Sequence, residues 1–90
     1  MFFCVMKNIK RTDLINQPIE AYLDKLAKRI KSLRVAKGYS SYEAFAYDHN
    51  LSRALYGRYE KGKDLRFSSL VKVVKAFGLT LEEFFSEGFD

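Results

Sequence analysis

The side chains best suited to binding chemistry belong to two arginines, Arg53 and Arg58, which a helix would place on its outer face with Ala54 and Gly57. A guanidinium group is a rigid fork of N–H donors that pairs with two acceptors at once, as on the edge of guanine. Small residues beside such a fork leave room for a close approach. The pattern therefore predicts that Arg53 and Arg58 read base edges.

Two short helices joined by a tight link would position that face. The first begins at Ser40 or Ser41, residues 49–51 form the link, and Ser52 caps the second helix. Such a unit presents its second helix to a DNA major groove roughly 12 Å wide, while the first helix lies across the sugar-phosphate backbone. We therefore predict a helix-turn-helix whose reading helix covers residues 52–61.

Three further helices complete the prediction, because apolar residues recur at steps of three and four on either side of this unit. Their ends carry residues that typically start or stop helices: Pro18, Gly38, Gly78 and Thr80. Five short helices with tight links predict one compact all-α domain over residues 18–90. Residues 1–17 form an N-terminal arm, which is either an untidy tail or a dimer-forming strand.

Charge is distributed unevenly along the chain. The net charge is +5, yet residues 25–75 hold thirteen Lys or Arg and four Asp or Glu, a local net charge of +9. Residues 76–90 carry acidic residues and no basic one. This arrangement suits a polyanion such as nucleic acid, and it also fits an ordinary solvated helical surface.

Cysteine content and hydropathy bound the compartment. The single cysteine, Cys4, excludes a disulfide within the chain and favours a reducing compartment. The apolar residues 1–6 are too few to cross a bilayer, and they lack the basic start and cleavage site of a secretory signal. We expect a soluble cytoplasmic protein with no membrane partner.

Short segments occur in a particular order between residues 29 and 85. They are Arg29-Ile30, Leu33-Arg34, Lys37-Gly38, Phe45-Ala46, Asn50-Leu51-Ser52-Arg53, Tyr59-Glu60-Lys61-Gly62, Leu70, Ala76-Phe77-Gly78-Leu79 and Leu81-Glu82-Glu83-Phe84-Phe85. In this order and spacing they resemble the lambda-repressor-like, Cro/C1-type helix-turn-helix (XRE) family. The resemblance covers about residues 26–85 and implies a lambda-repressor-like fold and a sequence-specific regulator of transcription, a repressor, bound to double-stranded DNA.

The resemblance also implies roles for individual residues. Arg53, Ala54 and Arg58 match positions that touch base edges, and Arg34 and Glu60 match a structural ion pair between the first and third helices. The expected phosphate contacts are Ser41, Tyr42, Ser52, Lys63 and Arg66.

The chain departs from the family pattern at several positions. Tyr42 stands where the family has a glutamine, and Leu65 where it has a proline. Ala54, Leu55 and Gly57 make an unusually apolar reading face.

Other function classes find less support in the sequence. An enzyme needs a nucleophile, a base or metal constellation, or a glycine-rich loop, and the single His49 and single Cys4 lack convergent ligands, so we predict no catalytic residue, metal or cofactor. The alternative on the same fold is an antitoxin or protein-interaction module with a toxin as partner. We expect a homodimer, formed through residues 1–6 or, in slight preference, through a C-terminal patch: Leu81, Phe84, Phe85 and Phe89.

Overall fold

Five helices follow one another in residues 15–89, the part of the chain that this computed structural model describes. They are α1 (Ile19–Ala36), α2 (Tyr42–Asp48), α3 (Arg53–Glu60), α4 (Phe67–Ala76) and α5 (Leu81–Phe84). No strand occurs in the described part, and the prediction of an all-α fold with five helices is confirmed. The predicted strand in residues 1–6 lies outside the described residues.

Side-chain caps start three of the helices. The Oγ atoms of Ser41 and Ser52 each accept a backbone N–H from three residues further on, at 3.3 Å, so Ser41 rather than Ser40 begins α2. Thr80 and Glu83 form a reciprocal capping box, in which Thr80 Oγ1 accepts from the Glu83 backbone and Glu83 Oε1 accepts from the Thr80 backbone. These caps satisfy N–H groups that have no partner inside a helix.

Helices α1 to α4 are each followed, two positions after the last residue, by a residue of positive φ, in the order Gly38, Asn50, Gly62 and Gly78. At the end of α2, Asn50 has a φ of 59°, and the next N–H, that of Leu51, donates to the Ala46 carbonyl at 2.8 Å. This six-residue closure is the Schellman motif. It turns the chain sharply between α2 and α3, and the helix-turn-helix depends on it.

Aromatic rings fill the centre of the bundle. Phe45 of α2 stacks on Phe77, with ring centroids 4.9 Å apart, and its centroid lies 5.3 Å from that of Tyr56 in α3. The other members of the buried cluster are Ile30, Ala46, Leu70, Val73, Val74 and Phe84. Because each large apolar side chain stabilises the fold by about 1.5–3 kcal/mol when it is fully buried, this cluster holds all five helices together.

Arg29 of α1 fastens the short C-terminal helix. Its Nε donates to the Phe84 carbonyl at 2.8 Å, its Nη2 donates to the Glu83 carbonyl at 3.1 Å, and its guanidinium lies 5.7 Å from the Phe84 ring centroid. The Phe84 side chain is fully buried, so it belongs to the core and cannot contribute to the predicted dimer patch. Leu81 and Phe85 remain 37% and 43% exposed, which leaves them available to a partner.

Candidate nucleic-acid interface

The exposed side of α3 carries the residues that the sequence predicts to read bases. Ala54, Leu55 and Arg58 lie on its outer face, Arg53 is exposed in its first turn, and half of the Leu55 surface is accessible. Within residues 15–89 neither arginine side chain forms a hydrogen bond or an ion pair. Two unpaired guanidinium groups beside small and apolar side chains are suited to the polar and methyl-bearing edges of base pairs.

Shallow grooves run along both sides of this face. One is lined by residues of α3 and of the loop before α4, among them Leu55, Arg58, Asp64, Leu65 and Arg66. The other joins the starts of α2 and α3 and is lined by Tyr42, Glu43, Ser52, Arg53 and Ala54. Lys63 is exposed in the loop that follows α3. Of the predicted phosphate contacts, Tyr42, Ser52 and Arg66 thus line grooves beside the predicted reading residues, whereas Ser41 and Lys63 line neither groove.

Ser41 and Ser52 have a structural role that accounts for their presence. Each hydroxyl oxygen accepts a capping hydrogen bond, and the Ser41 hydroxyl also lies 3.4 Å from Glu43 Oε1. A capping serine still has its own hydroxyl proton to donate. The Ser52 hydroxyl can donate that proton to a phosphate without loss of the cap, whereas a phosphate at Ser41 would compete for it with the Glu43 carboxylate.

A buried ion pair ties α3 to α1. Arg34 Nε and Nη2 donate to the two carboxylate oxygens of Glu60 at 2.8 and 3.0 Å, and the two side chains are only 6% and 8% exposed. Arg34 Nη1 donates to the Tyr39 carbonyl at 2.7 Å. The hydrogen bond to Glu60 raises the pKa of Arg34 above its ordinary value. The geometry is the two-pronged pairing expected for a structural link, so Glu60 faces the interior and not the reading face.

Tyr56 lies directly beneath this pair. Its side chain is fully buried, and among the described residues its hydroxyl finds no hydrogen-bond partner. Burial, and next the nearby Glu60 carboxylate, raise the pKa of Tyr56 well above that of a free tyrosine. The inward side of α3 is therefore held by packing and by the neighbouring ion pair.

The sequence predicted that Gly57 lies on the outer face of α3, and the structure shows that it does not. It is buried against α2, and a Cβ built on it would lie 2.7 Å from Cε1 of Tyr42. The prediction was wrong because residue 57 falls at the border between the inner and outer faces of α3, where the Tyr42 ring covers it. Glycine inside a helix costs about 1 kcal/mol relative to alanine, and here that cost makes room for an aromatic ring.

The family comparison now bears on this surface. A protein-family model for the helix-turn-helix matches residues 30–84, from within α1 to the last residue of α5, which is more than half of the chain. The chain belongs to the Cro/C1-type helix-turn-helix family. Comparison with curated proteins and with solved structures gives no significant match.

Membership of the Cro/C1-type family confirms the resemblance read from the sequence and agrees with a lambda-repressor-like fold. The family consists of DNA-binding regulators and is typically non-enzymatic, so the chain is a DNA-binding helix-turn-helix protein. None of the described helices combines the length and the apolar composition that a membrane span requires.

Sequence reasoning missed two features of this Cro/C1-type domain. It gave no sign that Arg29 holds α5. It also treated Tyr42 and Gly57 as separate departures from the family pattern, although the two residues are in contact. The contact between Tyr42 and Gly57 could have been suspected from their sizes, because a large side chain in one helix matches the missing side chain in the next.

Proposed function

We propose that the protein is a sequence-specific repressor of transcription that inserts α3 into the DNA major groove. The observation that carries this proposal is the outer face of α3, where Arg53, Ala54 and Arg58 are exposed and both arginines are unpaired among the described residues. The opposite side of the same helix is fixed by the Arg34–Glu60 pair. A rigid helix with free donors on one side is what direct reading of base edges requires.

Each part of the surface has a proposed task. Arg53 and Arg58 donate to guanine or to a phosphate at the groove edge, and Ala54 contacts a thymine methyl group. Phosphate contacts, which fix the position of α3 but carry no sequence information, come from Ser41, Ser52, Lys63 and Arg66. Occupation of its site in the cytoplasm would exclude other DNA-binding proteins, and repression follows from that exclusion.

A single helix of this length covers only a few base pairs, so we propose that two copies bind together. Helix-turn-helix dimers occupy half-sites about 34 Å apart. The exposed apolar side chains of Leu81 and Phe85 supply a contact surface for a second copy. Sedimentation of the full chain beside Phe85→Ser would test this: a dimer that the substitution dissociates supports the proposed contact, and an unchanged dimer removes it.

Selection of bound sequences from a random duplex pool tests the proposed function directly. We expect enrichment of a palindrome, and affinity for the selected duplex that falls by several orders of magnitude between about 50 and 200 mM salt, because neutralised phosphates release counterions. A pool that stays unenriched would disprove sequence-specific recognition. Enrichment with an affinity indifferent to salt would disprove the phosphate contacts alone.

A further inference from the structure

The ring of Tyr42 crosses from α2 onto α3 at Gly57. A Cβ atom at Gly57 would lie 2.7 Å from Cε1, 3.0 Å from Cζ and 3.1 Å from Oη of that ring. Carbon atoms do not approach one another so closely without one of them moving. The two helices therefore meet here at a separation that only glycine permits while the ring keeps its place.

The Tyr42 side chain also packs against the core. Its ring centroid lies 6.4 Å from that of Tyr56, which is fully buried, and Tyr42 packs partly buried against the central cluster. The ring thus has the core beneath it and Gly57 beside it. A side chain in that position acts as a spacer between α2 and α3.

The contact lies within the part of α3 that is proposed to read DNA. Gly57 directly precedes Arg58, and it follows Ala54 by three residues, about one helical turn. A change that alters the separation of α2 and α3 at this contact therefore shifts or rotates the segment that carries Ala54 and Arg58, two of the three proposed reading residues. Bidentate contacts to a base depend on alignment, so such a shift weakens preference for a sequence more than it weakens attraction to phosphate.

We propose that Tyr42 and Gly57 are a matched pair that sets how α3 is presented to DNA, and that they determine base preference without touching a base. The inference rests on the proposed function of α3. It replaces the expectation that Tyr42 binds a phosphate. Tyr42 is a positioning residue, which acts through Gly57 on Arg58 and Ala54.

Four variants of the full chain test the pair: Gly57→Ala, Tyr42→Phe, Tyr42→Leu and the double variant Tyr42→Leu/Gly57→Ala. The probes are the duplex selected from the random pool and duplexes with single base changes. The measured quantity is the ratio of affinities for the selected and changed duplexes, with the urea midpoint of unfolding recorded for each variant. Tyr42→Phe keeps the ring and removes the hydroxyl, and it is the matched control.

We expect Gly57→Ala to lower the preference ratio about tenfold, because the new methyl would press against a ring that the core holds, so that α3 shifts and one base contact is misaligned. Tyr42→Phe should leave the ratio unchanged. Tyr42→Leu removes the ring atoms that touch Gly57 but keeps apolar packing, and it should also lower the ratio. In the double variant the methyl enters the vacated space, so the loss should be smaller than the product of the two single losses.

Three results would contradict the proposal that Tyr42 and Gly57 act as a matched pair. The first is a preference ratio that survives Gly57→Ala while the urea midpoint falls, since the contact would then be structural only. The second is a Tyr42→Phe variant that weakens all duplexes as much as Tyr42→Leu does, since the hydroxyl would then bind phosphate. The third is a double variant whose loss equals the product of the single losses.

If Gly57→Ala fails to fold, Tyr42→Leu and Tyr42→Phe still decide the matter, because equal preference ratios in these two variants would refute a role for the ring. Failure of the proposed function is recognised separately. It would appear as a lack of duplex preference in the unaltered protein, and the presentation role would then fail with it. If only the proposal about Tyr42 and Gly57 is wrong, the unaltered protein still prefers the selected duplex.

Discussion

Replacing Glu60 by alanine removes one half of the ion pair that ties α3 to α1, and leaves the Arg34 guanidinium in a site where its side chain is only 6% exposed. Two charge-assisted hydrogen bonds, at 2.8 and 3.0 Å, disappear, while the bond from Arg34 to the Tyr39 carbonyl remains. Breaking a buried pair by removing one partner costs about 3–5 kcal/mol. Because a domain of this size is stable by about 5–15 kcal/mol, the loss takes a large share of the total.

Urea and thermal unfolding of the full chain measure the effect. We expect the melting temperature of Glu60→Ala to fall by at least about 12 °C, at about 4–8 °C for each kcal/mol in a small domain. Asp24→Ala is the matched control, because it breaks the Lys28–Asp24 pair, also joined at 3.0 Å, whose side chains are 78% and 61% exposed.

An exposed pair contributes at most about 1 kcal/mol, so the control should unfold close to the unaltered protein. If Glu60→Ala and Asp24→Ala lower the stability by the same small amount, the Arg34–Glu60 pair contributes no more than a surface ion pair does. A Glu60→Ala protein of normal stability that no longer binds DNA would assign Glu60 a direct role in binding.

Three further predictions concern the reading face, the turn and a buried tyrosine. Arg58→Ala should cost about 1–3 kcal/mol of binding free energy on the preferred duplex and change the sequence preference. Lys63→Ala should weaken binding to all duplexes alike and lower the slope of log affinity against log salt concentration by about 1. If Arg58→Ala also weakens binding to all duplexes alike, Arg58 is a phosphate contact. Asn50→Val should cost about 1–2 kcal/mol in thermal unfolding, because a branched side chain disfavours the left-handed φ of 59°, and Asn50→Gly should be near neutral. Burial raises the pKa of Tyr56, so the folded chain keeps a proton that the unfolded chain loses above about pH 10. Stability should therefore fall above that pH by up to about 1.4 kcal/mol per pH unit, and Tyr56→Phe should remove that part of the slope in urea unfolding at pH 8 to 11.

Local residue types were enough to predict most of the helix boundaries. Ser52 and Thr80 cap helices where the sequence predicts caps, and Gly38 and Gly78 follow helix ends as expected. These signals are local, because a cap or a left-handed residue acts within four or five positions of itself. The choice between Ser40 and Ser41 was not decided locally, because either hydroxyl could have capped α2.

Contacts between helices were harder to predict, because they depend on how two surfaces meet. At 100° per residue, position 57 falls at the border between the inner and outer faces of α3, and only the approach of the Tyr42 ring places it inside. The role of Arg29 is a second such case. Its long side chain reaches the carbonyl groups at the end of α5, a contact that no spacing within α1 reveals.

The eight residues of α3 divide their roles by face. Glu60 is fixed by α1, Gly57 by the ring from α2, and Tyr56 by the central cluster, so a change at any of them disturbs folding or the presentation of the helix. Arg53 and Arg58 do not attach α3 to the other described residues, since their side chains form no hydrogen bond or ion pair there. We therefore expect that sequence preference can change through the outer residues at little cost in stability, because their proposed role is in binding and they do not attach the helix to its neighbours.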